Sequence, residues 1–312
     1  MLLLASSQAG KNRRFPSPCR FPGIPVSRPP AGRSVAVLNQ KLLDRLTCAN
    51  QMKESILHRC ADLRELTAAA EEALIDPHAN LVREKVELEV ADGTRMTAYA
   101  VRPEGPVRMP EGWCCTRPSA RTPTSATWRT AWRRAGFAPV APELFHRTAP
   151  GFEGSYKDFA SALPHARAVT QSTAETDLRA TFGWLRSRPE VKAEEIYSLG
   201  FCLGGKASFL ANALLPLRAA VSFYGGGIAP DLLDRAQALA APMLPFWGGL
   251  DRHITPEHRK AVTDALDTHR RTYVNVAFSD ADHGFFCDER ASYQPRAARQ
   301  AWSLMLEFLR SW

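Results

Sequence analysis

Tyr197-Ser198-Leu199-Gly200-Phe201-Cys202-Leu203-Gly204-Gly205-Lys206-Ala207 decides how the rest of the chain is read. Glu195-Ile196-Tyr197-Ser198-Leu199 reads as a short buried strand, and from Lys206 to Leu215 apolar residues recur at helical intervals. One cysteine therefore stands where a strand gives way to a helix, with Gly200 and Gly204 on either side. A nucleophile on so sharp a turn has a strained backbone, and bulky neighbours would collide there, so the pattern needs its glycines. The turn lifts the side chain above the sheet edge. Backbone N–H groups at the start of the following helix can then steady a thiolate and, later, an oxyanion. The competing reading makes Cys202 a small buried hydrophobe, which is how most free cysteines serve.

Two later segments of the chain favour the first reading. Pro242-Met243-Leu244-Pro245-Phe246-Trp247-Gly248-Gly249-Leu250-Asp251 is an apolar strand ending in glycines and an acid. Tyr273-Val274-Asn275-Val276-Ala277-Phe278 is another strand, with Asp280-Ala281-Asp282-His283-Gly284-Phe285 after it. Nucleophile, acid and histidine, each on the loop after a separate strand, is the chain order of α/β-hydrolases. Asp280 and Asp282 lie too near His283 in sequence to be the orienting acid, and His253 reads as a surface loop residue.

From about Arg83 onward the chain resembles the dienelactone hydrolases, cysteine-dependent members of the α/β-hydrolase fold. The resemblance rests on Gly200-Phe201-Cys202-Leu203-Gly204-Gly205, on Gly248-Gly249-Leu250-Asp251, on Asp282-His283-Gly284-Phe285 and on Pro142-Glu143-Leu144-Phe145-His146-Arg147-Thr148-Ala149-Pro150-Gly151. It implies Cys202 as nucleophile, His283 as general base, Asp251 as the residue orienting the imidazole, and Arg147 as a binder of the substrate carboxylate. The Leu203 N–H would help hold the oxyanion. The family also places an arginine shortly after the histidine, where this chain has Phe285-Phe286-Cys287, so half of that carboxylate clamp is expected to be missing. Larger or less acidic esters, lactones or thioesters then remain open as substrates.

Composition narrows the field. At 312 residues with 45% hydrophobic content, the chain can hold one large α/β domain with extensions. No run approaches the roughly 18 apolar residues of a membrane helix. The seven cysteines lack a paired framework or zinc-ligand spacing, which points to a reduced, cytoplasmic setting. No metal cluster, dinucleotide motif or phosphate loop is present, so neither metal nor cofactor is expected. The net charge of +8 is local: residues 1–43 hold seven Lys/Arg and no acid, and 112–134 hold five arginines and no acid. Subtracting, 8 − 7 − 5 leaves −4 for the remainder, which argues against a nucleic-acid partner. Nothing in the sequence speaks to the oligomeric state.

The chain divides into three domains. Residues 1–33, rich in proline and arginine, read as a disordered or non-native leader, with an overlong gene start or a transit peptide as alternatives. Residues 34–80 read as a helical extension, with Leu42, Leu43, Leu46, Ile56, Leu63 and Leu66 at three-to-four spacings. Residues 81–312 are the α/β-hydrolase domain, a mostly parallel sheet flanked by helices. It opens with a hairpin, Glu84 to Val90 and Met96 to Val101, turned by Asp92-Gly93. A helix over Glu175 to Arg186, one opened by Thr255-Pro256-Glu257, and a closing helix from Ser292 to Leu309 complete the pattern.

One stretch does not belong. Residues 112–134 contain no Val, Leu, Ile, Met or Phe, yet the fold needs a buried strand and a helix between the hairpin and Phe137-Ala138-Pro139-Val140-Ala141. A polar insertion loop is one account. The other is a frame-shifted segment. Shifting Gly112-Trp113-Cys114-Cys115-Thr116 back one base forces Val, Leu or Met, then Val, then Leu, then His or Tyr. That is a buried strand. Continuing, the shifted frame permits Glu-Ala-Phe-Gly, similar to the family segment that carries an acid beside the cysteine and one oxyanion-hole N–H. Two compensating single-base errors, near 109–112 and 133–136, would account for it. The expected function is hydrolysis of a small ester, lactone or thioester, impaired in the chain as written. The alternative is a non-catalytic binding protein, or a decayed gene product, on the same fold.

Overall fold

The computed structural model of the chain describes residues 2–5, 81–103, 111–112, 137–154, 158–189 and 191–312. Its centre is one sheet with nine strands: β1 (Leu2–Ala5), β2 (Leu81–Glu89), β3 (Arg95–Pro103), β4 (Glu111–Gly112), β5 (Ala138–Pro142), β6 (Ile196–Phe201), β7 (Ala220–Phe223), β8 (Met243–Gly248) and β9 (Val276–Phe278). They lie side by side in the order β2-β3-β5-β1-β6-β7-β8-β9, with β4 paired to β1. Among the described residues the helices are α1 (Phe159–Ala168), α2 (Gln171–Arg186), α3 (Leu203–Leu214), α4 (Pro256–Thr268) and α5 (Pro295–Ser311). This is the α/β-hydrolase architecture expected from the motifs.

The expected hairpin is present, with Val86 opposite Ala98 and Leu88 opposite Met96. Gly93 takes φ +84°, and Asp92 accepts from the Thr94 N–H at 3.1 Å, which is the turn chemistry of an Asp-Gly pair. From β6 onward the strands are parallel and consecutive, with Leu199 beside Val221, Val221 beside Leu244, and Trp247 beside Ala277. Residues 220–223 and 243–248 are buried throughout, as strands covered on both faces must be. α3 packs on β6 and β7, and α2 on α3 and β5. Phe209, Phe223, Phe246 and Trp247 fill the space between, none more than 1% exposed.

Helix starts obey their capping residues. Thr170 closes a reciprocal box with Thr173 ahead of α2, and Thr255 caps α4 with Pro256 in its first turn. α1 has no counterpart in the sequence reading; Pro164 lies in its interior, where it removes one helical hydrogen bond.

Two expectations change. The leader over 1–33 contributes Leu2–Ala5 to the sheet, where the short apolar run finds backbone partners on both sides. That strand runs antiparallel to both β5 and β6, so the sheet is parallel only on one side of it. The helical extension over 34–80 lies outside the described residues. So does the irregular stretch 112–134 beyond Gly112, which itself ends β4.

Candidate active site

The site begins at the C-terminal end of β6. Cys202 has φ 54° and ψ −119°, a left-handed conformation that costs energy for any residue with a Cβ. It is held there by the chain on either side: its N–H donates to the Phe223 carbonyl at 3.0 Å, and its carbonyl accepts from Gly205 N–H at 2.9 Å. A Cβ on Gly200 would overlap the Gly204 carbonyl, so the glycine the motif demands is required by close approach of the turn. Cys202 is thus the N-cap of α3, and the Leu203 N–H helps to lower its thiol pKa.

Asp251 stands on the loop after β8. Gly249 and Leu250 N–H groups anchor that loop to the Phe278 and Ala281 carbonyls at 2.7 and 2.9 Å. One Asp251 oxygen accepts from the His253 and Ile254 N–H groups at 2.8 and 3.1 Å. The other lies 2.7 Å from His283 Nδ1. Burial pushes this carboxyl up, but the His283 hydrogen bond and charge, with the two backbone donors, bring it below the usual range. An ionised carboxylate only accepts, so Nδ1 is the donor and Nε2 is left for the cysteine.

His283 stands between the two. Burial alone would lower its pKa. The hydrogen bonds to Asp251 and to the Cys202 thiol outweigh burial and push it up to about 9. Burial likewise drives the Cys202 thiol up, but the His283 hydrogen bond and charge, the Leu203 N–H and the Arg290 charge carry it down. The arrangement favours a thiolate facing an imidazolium. The loop after His283 is tied back by Ser292 Oγ, which donates to the His283 carbonyl at 2.7 Å. Tyr224 lies 5.0 Å from the imidazole, ring centre to ring centre, and Phe286 stacks on Phe201 at 5.3 Å.

Arg147 is elsewhere in the contact network. Its Nε donates to Asp92 at 2.8 Å, and Nη1 and Nη2 grip both oxygens of Asp177 at 2.9 and 2.8 Å. Asp177 is fully buried, so this fork–fork pair ties the loop after β5 to α2 and, through Asp92, to the hairpin turn. Among the described residues its hydrogen-bond partners include none of Cys202, His283 and Asp251. Conversely, the sequence reading overlooked Arg290. The chain turns at Gly284, φ +81°, and a Cβ there would run into the Arg290 guanidinium; the arginine's charge then acts on the Cys202 sulfur. Arg290 stands seven positions after the histidine, and only the glycine turn signals that its charge bears on the cysteine. His253 also comes within 5.5 Å of His283, ring centre to ring centre, so it borders the site. Among the described residues no group of His, Cys, Asp and Glu is placed to hold a metal ion.

Residues 126–312 match the model of the dienelactone hydrolase family. A Synechocystis sp. protein provisionally named carboxymethylenebutenolidase is 33% identical over 178 residues, 54% of this chain and 72% of that one. The carboxymethylenebutenolidase of a Pseudomonas sp. is 29% identical over 184 residues, 58% of this chain and 76% of that one. A solved Klebsiella pneumoniae structure, provisionally assigned as a dienelactone hydrolase, matches with TM-score 0.62 at 23% identity, over 75% of this chain and 100% of that one. At that identity the structural likeness speaks for the fold.

Proposed function

The chain belongs to the dienelactone hydrolase family, and we propose that it hydrolyses small ester or lactone substrates with Cys202 as nucleophile, His283 as general acid–base and Asp251 as the group that orients the imidazole. The observation that carries this is the His283 imidazole, 2.7 Å from Asp251 through Nδ1 and acting with its charge on the Cys202 thiol from the other side. The thiolate attacks the carbonyl carbon, forming the C–S bond and placing negative charge on the carbonyl oxygen. The Leu203 N–H supports that oxyanion; a donor of this kind contributes roughly 3–4 kcal/mol to lowering the barrier. Collapse breaks the C–O bond, and the leaving oxygen takes the proton from His283 Nε2. Water then attacks the thioester as His283 accepts its proton, and C–S cleavage returns the thiolate and the acid product.

The Arg290 charge at the sulfur supports a substrate that carries a carboxylate, as does the likeness to proteins named for a butenolide lactone. Arg147, already matched by two carboxylates, is better supported as a structural tie than as a substrate binder. Seven cysteines without a paired framework support a reducing, cytoplasmic setting. Among the described residues no helix is long and apolar enough to cross a membrane. We place catalysis in residues 81–312, and we read 112–134 as frame-shifted. That reading is supported by the absence of Val, Leu, Ile, Met and Phe from 112–134, where the fold needs a buried strand.

Hydrolysis of p-nitrophenyl acetate by the chain as given and by a frame-restored chain tests both parts. Restoration is expected to raise the rate, and Cys202→Ser to lower it about 10³-fold or more in either background. Equal rates before and after restoration would sink the frame reading alone. A Cys202→Ser rate equal to its parent would remove the cysteine from the mechanism, and no turnover by any version would leave the binding-protein alternative.

A further inference from the structure

β1 pairs only with strands far from it in sequence. β5 and β6 point the same way, and Leu2–Ala5 lies between them antiparallel to each. On one side Leu2, Leu3, Leu4 and Ala5 pair with Leu199, Ser198, Tyr197 and Ile196. On the other, Leu3 pairs with Val140, while Leu4 and Ala5 pair with Gly112 and Glu111. β6 is the strand that ends in the nucleophile, and its first five residues are buried. Its other edge is taken by β7. Without β1, one edge of that strand would present N–H and C=O groups with no partner in the sheet.

No short turn ties β1 to either neighbour. Residues 6–137 separate Ala5 from β5 and residues 6–195 separate it from β6, so closing these pairings costs more chain entropy than a hairpin does. The strand is therefore held by its ladder and not by its connections. Its sequence suits a strand enclosed in a sheet, with three leucines and an alanine and no charge. Antiparallel bonds on both sides also suit a segment that enters from outside the βα succession.

We propose that the space between β5 and β6 is a strand-binding groove, that Leu2–Ala5 is its occupant by strand addition, and that this occupant is exchangeable with the same peptide supplied in trans. The groove recognises backbone first, through an unpaired edge on each side, and accepts a short uncharged apolar strand. This stands apart from the catalytic reading, since the pairing would hold whether or not Cys202 turns over a substrate.

Hydrogen exchange on the full chain, read by mass spectrometry of peptic fragments, tests it without an assay of activity. Amides of Leu2–Ala5 are expected to be protected together with those of Ile196–Phe201; exchange of Leu2–Ala5 at the rate of an unstructured peptide would overturn the proposal. In Leu3→Pro the ladder loses an N–H, and exchange over 138–142 and 196–201 is expected to rise by more than about tenfold. Adding a synthetic Met-Leu-Leu-Leu-Ala peptide should restore protection in that variant. Unchanged exchange in Leu3→Pro, or no recovery with saturating peptide, would contradict the groove. Should that variant prove insoluble, the unmodified chain's own exchange pattern decides.

Discussion

The two sides of the sheet are built on different principles. From β6 to β9 each strand is the next one in sequence, each pair is parallel, and Cys202, Asp251 and His283 all stand just beyond strand ends on that side. From β2 to β1 the neighbours are antiparallel, the order departs from the sequence, and one strand arrives from the far end of the chain. The arginine expected to serve the site from this side, Arg147, is instead closed into a carboxylate pair with Asp177 and Asp92. Local connection carries the chemistry in one half. Long-range pairing decides whether the sheet is whole in the other.

Substitutions should respect that division, and the largest effects should fall on the parallel side. After Cys202→Ser, Asp251→Asn is expected to be the most damaging, with a loss of about 10³–10⁴-fold in turnover and little change in melting temperature, because the wrong imidazole tautomer would face the thiol. A kinetic loss below tenfold would detach Asp251 from the site. Arg147→Ala should do the reverse. It leaves Asp177 buried without its partner, for about 3 kcal/mol of stability, or several degrees in melting temperature at this domain size. A raised KM with an unchanged melting temperature would return Arg147 to substrate binding and blur the contrast. Arg290→Gln is expected to have the smallest effect, raising KM for an anionic ester roughly tenfold relative to a neutral one. Equal changes for both esters would mean that Arg290 does not read substrate charge.

The same contrast explains what could be read in advance. The elbow at Cys202 and the loops bearing Asp251 and His283 are encoded by residues within a few positions of one another: glycines at close approaches, apolar runs, an acid or a histidine at the end. The helix start at Thr255-Pro256 arises from capping chemistry just as local, while the cap at Thr170 begins α2 four residues ahead of the expected Glu175. Arg147 could be placed on its loop, but its partners lie 55 and 30 residues away and leave no mark near it. The Arg290 charge bears on Cys202, and the Gly284 turn beside it is its one local sign. Pairing of Leu2–Ala5 across nearly two hundred residues of sequence leaves no periodic signal in either partner. Pro164 conceals α1 because its local preference is overridden by the surrounding packing.

The coupling of Cys202 to His283 is the centre of the account, and the pH dependence of Cys202 alkylation tests it without requiring turnover. His283, held at about 9, remains cationic as pH falls toward neutrality, and that cation keeps the buried thiol ionised below its ordinary range. The account predicts a rate of iodoacetamide labelling at Cys202 that stays on a plateau from pH 8 down through about pH 7, and that in His283→Gln falls about tenfold per unit below roughly pH 8.5, as an unassisted thiol does. A parent protein whose labelling already tracks the unassisted thiol, identical to His283→Gln, would contradict it.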